Sequence, residues 1–246
     1  MLHLIPESIL VFITAFVAAN SLKDMLSMKR TSKLLNKACE DREVLRACSL
    51  REIQLLLWPA HPQRKDIDNF FDRLRWSRNP EYCFRVGLIN LCERTTNFGL
   101  ARDLLQIAAA EGYDAAKYVL TMLYIFSGDR KRYTLGISWL TKLWKKRCLF
   151  KCRRMIEESI ELDRCWRHGR QWPPSLEFSM VCNHLPAGIK CIPPKLKKGV
   201  WIAFSDEDYS FDTCLGCRLD KEVLWFIDKI GYNRPEQPQV FMYKGF

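Results

Sequence analysis

Cysteine is the residue type in this chain with the clearest capacity for chemistry. Cys214 and Cys217 form a C-x-x-C pair, and Cys182 and Cys191 precede them. A close cysteine pair with a second pair of ligands is typical of structural zinc sites. These four thiols are therefore a candidate zinc site, although Cys182 and Cys191 are spaced more widely than a usual ligand pair. The alternative is that they are reduced thiols packed in a small core.

Residues that could catalyse a reaction are few. The chain has four histidines, and only Cys182 with His184 offers a nucleophile beside a base. The sequence contains no G-x-S-x-G, no H-E-x-x-H and no glycine-rich phosphate loop. We therefore assign no catalytic residue and expect that the protein is not an enzyme.

Positive charge is concentrated in one stretch. The chain carries 39 Lys and Arg against 28 Asp and Glu, a net charge of +11. Ten of these cations and one acid lie in residues 129–154. Such a stretch could attract nucleic acid, a membrane surface or an acidic protein, or it could be a solvated helix surface. Trp139 and Trp144 could stack on bases there, but core packing is the better interpretation.

Composition indicates a globular protein of a reducing compartment. Hydrophobic residues make up 48% of the chain and charged residues 27%, which is typical of folded domains. Eleven cysteines, an odd number spread along the chain, do not resemble a secreted disulfide framework. The apolar start, residues 4–19, is too short to span a bilayer and contains Pro6 and Glu7. We expect a nuclear or cytoplasmic location and no membrane partner.

The first fifty residues predict three short helices. Pro6 suits the first turn of a helix, and Ser21 with Asp24 forms a capping box for a second helix. A third helix would run from Leu34 to Leu45. In the first helix, apolar residues recur at helical spacing: Ile5, Ile9, Leu10, Ile13, Phe16 and Val17. Fifty residues are too few for a robust core, so these apolar faces need a partner.

Residues that interrupt or start helices divide the rest of the chain into three parts. Residues 51–68 are predicted to be a linker, because Trp58-Pro59 and His61-Pro62 interrupt continuous helix. Residues 69–163 are predicted to form α/α hairpins, with helices capped by Asn79, before Pro80, and by Asp114 at a spacing in the mid-thirties, and with a helix end at Gly112. Residues 164–246 are predicted to be a small mixed α/β region, with strands at 200–204 and 240–243 and a helix at 220–230. The fold class expected is therefore mainly α.

Two motifs resemble a known family. Ile5-Pro6-Glu7-Ser8-Ile9-Leu10 and the apolar residues that follow resemble the F-box motif, and residues 111–118 resemble a Sel-type helical repeat. The order of the chain is similar to that of a plant F-box family with a cysteine-bearing tail. The resemblance implies an F-box at 1–50, which completes its core against a Skp-type adaptor. The implied adaptor-binding residues are Ile5, Pro6, Ile9, Leu10, Ile13, Leu22 and Met25.

The resemblance also implies a function. It predicts a non-catalytic substrate-recognition subunit of an SCF-type (Skp-cullin-F-box) ubiquitin ligase, in which the adaptor is held by a cullin. The repeat and the tail would bind a protein target, which the sequence does not name. Two alternatives stay open: a basic nucleic-acid-binding protein with a zinc knuckle, and a helical scaffold that does not assemble into a ligase.

Overall fold

The computed structural model describes residues 5–51, 53, 55, 64–92, 97–163 and 215–230, and these ranges contain helices but no strand. The first helices are α1 (Glu7–Asn20), α2 (Leu22–Thr31), α3 (Lys33–Cys39) and α4 (Arg42–Ala47). The next are α5 (Arg64–Ser77), α6 (Pro80–Cys92), α7 (Phe98–Ala110), α8 (Asp114–Ile125), α9 (Arg130–Lys145) and α10 (Leu149–Leu162). The last described helix is α11 (Leu215–Lys229). The expected mainly α fold is confirmed, and the two predicted strands lie outside the described residues.

The N-terminal helices are four rather than three. The helix expected from Leu34 to Leu45 is divided into α3 and α4, so that prediction is wrong. The division is made by Asp41, whose side chain caps α4 by accepting a hydrogen bond from the Glu43 amide at 2.7 Å. The predicted cap at Ser21 is confirmed, since its hydroxyl accepts the Asp24 amide at 3.1 Å.

Two antiparallel helix hairpins, α6 with α7 and α8 with α9, form the centre of the molecule. Helices α6 and α8 begin at Pro80 and Asp114, which are separated by 34 residues as the sequence spacing predicted. Asn79 caps α6, and its Oδ1 accepts the Tyr82 amide at 2.8 Å. Gly112 follows α7 with φ +85°, the left-handed conformation that ends many helices. Asp114 was expected to be a cap, but it is the first residue of α8.

Glycine allows the helices of each hairpin to approach closely. A Cβ atom added to Gly87 of α6 would lie 2.9 Å from Leu105 Cγ of α7. A Cβ atom added to Gly136 of α9 would lie 3.0 Å from the Thr121 carbonyl oxygen of α8. A Cβ contact at 2.9 Å is shorter than real side chains show and one at 3.0 Å is tighter than most, so a side chain at either position would require its neighbour to shift.

Helix α11 packs against α8 and α10 through a buried polar contact. The Tyr118 hydroxyl of α8 donates to Glu222 Oε2 at 3.0 Å, and Arg153 of α10 lies 3.3 Å from Glu222 Oε1. Trp225 and Phe226 complete the contact with edge-on approaches to the Tyr118 ring. A helix was expected at 220–230, and the observed helix begins earlier, at Leu215. Arg153 was expected on an exposed basic surface, but it is buried by this contact.

Candidate functional site: the outer face of the first helix

Helix α1 is apolar on two opposite faces, and only one of them is covered. Its inner face carries Leu10, Thr14 and Ala18, all buried against the other N-terminal helices. The Thr14 hydroxyl donates to the Leu10 carbonyl at 2.7 Å, so this buried polar group is satisfied within the helix. The Ser49 amide donates to the Ala18 carbonyl at 2.9 Å and ties the end of α1 to the segment after α4. The inner face therefore anchors α1.

The outer face of α1 is a stripe of large apolar side chains exposed to solvent. Its members, with their exposed fractions, are Ile9 (47%), Phe12 (72%), Ile13 (43%) and Phe16 (69%). At 100° per residue these four positions fall within an arc of about 100° on the helix surface. Large contiguous apolar patches are uncommon on monomeric proteins and usually mark an interaction surface. We call these four residues the outer face.

The residues predicted to bind an adaptor are divided by the structure. Ile9 and Ile13 lie on the outer face, Pro6 is exposed and Ile5 is half-buried. Leu10, Leu22 and Met25, by contrast, are buried in the core that the chain itself forms. Phe12 and Phe16 are the most exposed members, and Phe12 was missed by the sequence analysis. The sequence did contain a signal for Phe12, because it lies four residues before Phe16 and this spacing places two residues side by side on one helix face.

The N-terminal helices are joined to the hairpins by buried hydrogen bonds from Asn79. Its side-chain amide donates to the carbonyls of Leu45, Arg46 and Cys48 at 2.9, 3.2 and 2.7 Å. These carbonyls lie at the end of α4, where the helix no longer continues to supply an amide to each of them, although the Leu45 carbonyl also accepts the Cys48 amide at 3.4 Å. Asn79 is fully buried and caps α6 at the same time. One side chain thus fixes the end of α4 against the start of α6.

A buried ion pair continues this junction. Arg85 of α6 donates from Nε and Nη2 to the two carboxylate oxygens of Asp163, at 2.9 and 2.5 Å. The same guanidinium donates to the carbonyls of Leu50 and Ile53 at 2.7 and 2.6 Å. Asp163 also accepts the Leu55 amide at 2.8 Å. The segment after α4 is therefore held between α6 and the end of α10, and each guanidinium nitrogen and each carboxylate oxygen of this pair has at least one partner.

Glu81 adds a third contact between the two parts of the chain. Its Oε2 accepts the Leu50 amide at 3.1 Å. Burial raises the pKa of the Glu81 carboxyl above its ordinary value of 4.5, and the bond from Leu50 opposes that rise. We call Asn79, Glu81, Arg85 and Asp163 the polar junction. The outer face of α1 is consequently carried on the same folded body as the hairpins.

The described cysteines are packed thiols. Cys39, Cys48, Cys83, Cys92 and Cys152 are buried and Cys148 is half-buried, and none of these six forms a disulfide. Burial raises the pKa of Cys48 to about 12 and that of Cys83 to about 11, so both stay protonated at neutral pH.

The predicted zinc ligands are not among the residues whose side chains the structure describes. Cys182, Cys191 and Cys214 lie outside the described ranges, and Cys217 is placed only as part of the first turn of α11. Within those ranges no group of His, Cys, Asp and Glu side chains could hold a metal ion. The zinc site stays a prediction.

Comparisons with known proteins agree with the architecture. Residues 53–161 match the family model described as plant tetratrico peptide repeats. The chain is 28% identical over 169 residues to an Arabidopsis thaliana protein named "Putative F-box protein". That match covers 68% of this chain and 54% of the relative, so the chain spans about half of the relative's length. No solved structure gave a significant match.

Among the described residues, no helix has the length and apolar character that crossing a membrane would require. The family match falls on α5 to α10, which include the two hairpins predicted from the spacing of helix starts. These findings agree with the resemblance that the sequence motifs indicated: the chain is similar to a plant protein named as a putative F-box protein, and its central residues 53–161 match a plant tetratrico peptide repeat model.

Proposed function

We propose that this chain is the target-recognition subunit of an SCF-type ubiquitin ligase and that α1 binds a Skp-type adaptor. The observation that carries the proposal is the outer face: four large apolar side chains exposed on one side of a helix whose other side is already packed. The similarity to a protein named as a putative F-box protein supports a Skp-type adaptor as the partner. The adaptor would in turn be held by a cullin.

The outer face has the character of an anchor for a desolvated interface. Phe12 and Phe16 each expose about 70% of their surface, and burying that area would contribute about 1–2 kcal/mol per ring. Ile9 and Ile13 lie beside the rings, and their burial would make smaller contributions to the binding free energy. A few such central apolar residues commonly supply most of the binding energy of an interface. Leu10, Leu22 and Met25 support the helix from inside.

In this proposal the chain positions a target protein and does not itself catalyse a reaction. The hairpins and the C-terminal region, residues 69–246, bind a protein target. A separate conjugating enzyme then reaches a lysine on that target, and the rate gain comes from proximity. Because the polar junction fixes the hairpins to the N-terminal helices, the target is held in a defined orientation relative to the adaptor. We place this activity in the nucleus or the cytoplasm.

The test is co-expression of the full chain with a Skp-type adaptor, followed by affinity capture. Phe12→Asp with Phe16→Asp should abolish adaptor capture, because an interface cannot bury unpaired carboxylates. Ile13→Asp is a second, single variant of the outer face, and Leu135→Asp is its matched control, since Leu135 is as exposed as Ile13 (41% and 43%) but lies on α9. Leu10→Asp is a poor probe, because Leu10 is buried and its replacement would unfold the module.

Two results would contradict the proposal. Undiminished capture of the Phe12/Phe16 variant would show that the outer face is not the docking surface. Failure of the wild-type chain to capture any adaptor would favour the helical scaffold without ligase assembly. Circular dichroism of each variant establishes that the helices are intact, so that loss of capture is not loss of fold.

A further inference from the structure

The solvent-facing side of α9 is a cationic stripe. Its members are Lys131, Leu135, Ser138, Lys142 and Lys145, and all five side chains are exposed. At 100° per residue they lie within about 80° of one another around the helix axis. No Asp or Glu occurs anywhere in α9. The stripe therefore presents positive charge at both ends and small or apolar side chains between them.

The charges at the start of α9 are not explained by the stability of the helix. Arg130, Lys131 and Arg132 occupy its first turn, where the positive end of the helix dipole disfavours cations. Asp129 caps the helix through the Arg132 amide at 2.7 Å. Within the part of the chain that the structure describes, no carboxylate forms an ion pair with any of the three side chains. Their placement is thus unfavourable for folding alone.

The charges at the other end behave differently. Lys142 and Lys145 lie in the last turn of α9, where the dipole favours cations. Lys131 and Lys142 are eleven residues apart on the same side of the helix, a distance of about 17 Å along the axis. An extended polypeptide rises about 3.4 Å per residue, so about five residues would connect the two charges. A short acidic segment lying along α9 could contact both ends.

Aromatic contacts favour a polypeptide over a nucleic acid on this surface. The ring of Trp139 lies 5.3 Å from that of Tyr124, and Lys117 sits over it at 5.4 Å. Trp144 is covered by Arg218 of α11 at 5.4 Å. Both tryptophans that could have stacked on bases therefore have partners within the protein. The stripe itself carries no aromatic residue, and single-stranded nucleic acids rely on such stacking for binding.

We propose that the cationic stripe binds an acidic segment of the protein target. This inference rests on the proposed function, because only a ligase subunit would have a target to bind. Binding of an acidic polypeptide to the stripe can nevertheless be measured whether or not the chain is a ligase subunit. Charge complementarity sets the class of the ligand: a stretch of Asp and Glu in an extended polypeptide. The stripe lies on a hairpin helix and the outer face lies on α1, so the adaptor and the acidic segment bind to different helices.

The experiment measures binding of fluorescent poly-L-glutamate to the full chain at low salt. We expect Lys131→Glu with Lys142→Glu and Lys145→Glu, the three cations of the stripe, to weaken binding by about tenfold or more, and salt to weaken the wild type steeply. The matched control is Lys23→Glu with Arg30→Glu and Lys33→Glu. It changes the net charge equally at exposed positions of α2 and α3 and should alter the affinity by no more than about twofold.

Three outcomes would overturn the proposal: unchanged affinity in the α9 variant, equal loss in the control, or tighter binding of an oligothymidylate of equal charge. Lys142→Gln with Lys145→Gln provides a second, milder variant should the first lose helix content. Adaptor capture, measured on the same proteins, should be unaffected by the α9 changes. If the wild type binds polyglutamate through α9 but captures no adaptor, the proposal for the cationic stripe is supported and the ligase assignment is refuted.

Discussion

Replacing Asp163 by alanine should destabilise the protein by about 3–5 kcal/mol, because it leaves a buried guanidinium without its counter-ion. The side chains of Arg85 and Asp163 are 2% and 1% exposed. Without the carboxylate, Arg85 keeps only its bonds to the carbonyls of Leu50 and Ile53, and the Leu55 amide loses its acceptor. Domains of ordinary stability have about 5–15 kcal/mol in total, so the loss is a large fraction of it.

The structure provides a matched control for this change. Arg154 and Glu158 also form an ion pair, at 2.6 Å, but their side chains are 69% and 57% exposed. Glu158→Ala should cost only about 0.3–0.5 kcal/mol, the usual contribution of an exposed pair on a helix. Both variants would be measured by urea unfolding at pH 7, followed in parallel by circular dichroism and tryptophan fluorescence.

The result that would refute the reasoning is a cost for Asp163→Ala below about 1 kcal/mol, comparable to that of the exposed pair. Such a value would mean that water or another group replaces the carboxylate beside Arg85. Comparison of circular dichroism with tryptophan fluorescence tests a second expectation. Because the polar junction connects the N-terminal helices to the hairpins, both signals should report a single transition, and two separate transitions would show that the modules unfold independently.

Three further predictions follow from individual residues. Gly87→Ala should lower stability by about 1–3 kcal/mol because the new methyl group would overlap Leu105, whereas Gly99→Ala, which meets no close neighbour, should be neutral or stabilising in the same urea assay. Glu81→Gln should gain stability relative to the wild type as the pH rises from below 4.5 through the raised folded-state pKa of Glu81, because the unfolded wild type releases this proton at a lower pH than the folded protein, whose buried carboxyl retains it. Urea unfolding of both proteins across this pH range measures the difference in stability, and a difference that does not change with pH would refute the effect of burial on Glu81. Metal analysis of chelator-free protein should find about one zinc per chain, reduced by Cys214→Ser, and stable metal-free protein would assign the four cysteines to packing.

Local sequence signals located the central helices well. Asn79-Pro80 marked the start of α6, and Gly112 marked the end of α7, because capping and left-handed glycine act over only a few residues. Two other helix ends were invisible to the same rules. Arg78 and Arg147 take the left-handed conformation with φ 58° and 52°, although glycine is the usual residue there. Each arginine is followed by an amide that donates to a carbonyl five residues earlier, Asn79 to Leu74 and Cys148 to Leu143, so the hydrogen bonds that close the helix hold this conformation without a glycine.

The candidate site could be predicted only in part, because a local sequence pattern does not show which helix face is packed or which distant residues meet. Helix α1 is apolar almost all round, so its periodicity did not distinguish the packed side of Leu10 from the exposed side of Phe12. The polar junction gave no local signal, since Arg85 and Asp163 are 78 residues apart and each has an ordinary sequence context. Asn79 was recognised as a cap, but its three bonds to the end of α4 depend on how the hairpins sit beside the N-terminal helices.

The polar junction has a consequence for how the molecule is made on the ribosome. The carbonyl of Cys48 obtains its donor from Asn79, and the amide of Leu55 obtains its acceptor from Asp163, 108 residues later. At usual rates of synthesis of about 5–20 residues per second, Asp163 emerges about 5–20 s after Leu55. During that interval these backbone groups of the nascent chain can pair only with water, while the phenylalanines of the outer face are exposed nearby in sequence. The helix that carries the outer face therefore reaches its final state only after most of the repeat has been translated, and a fragment ending at residue 50 is not equivalent to the same residues in the finished chain.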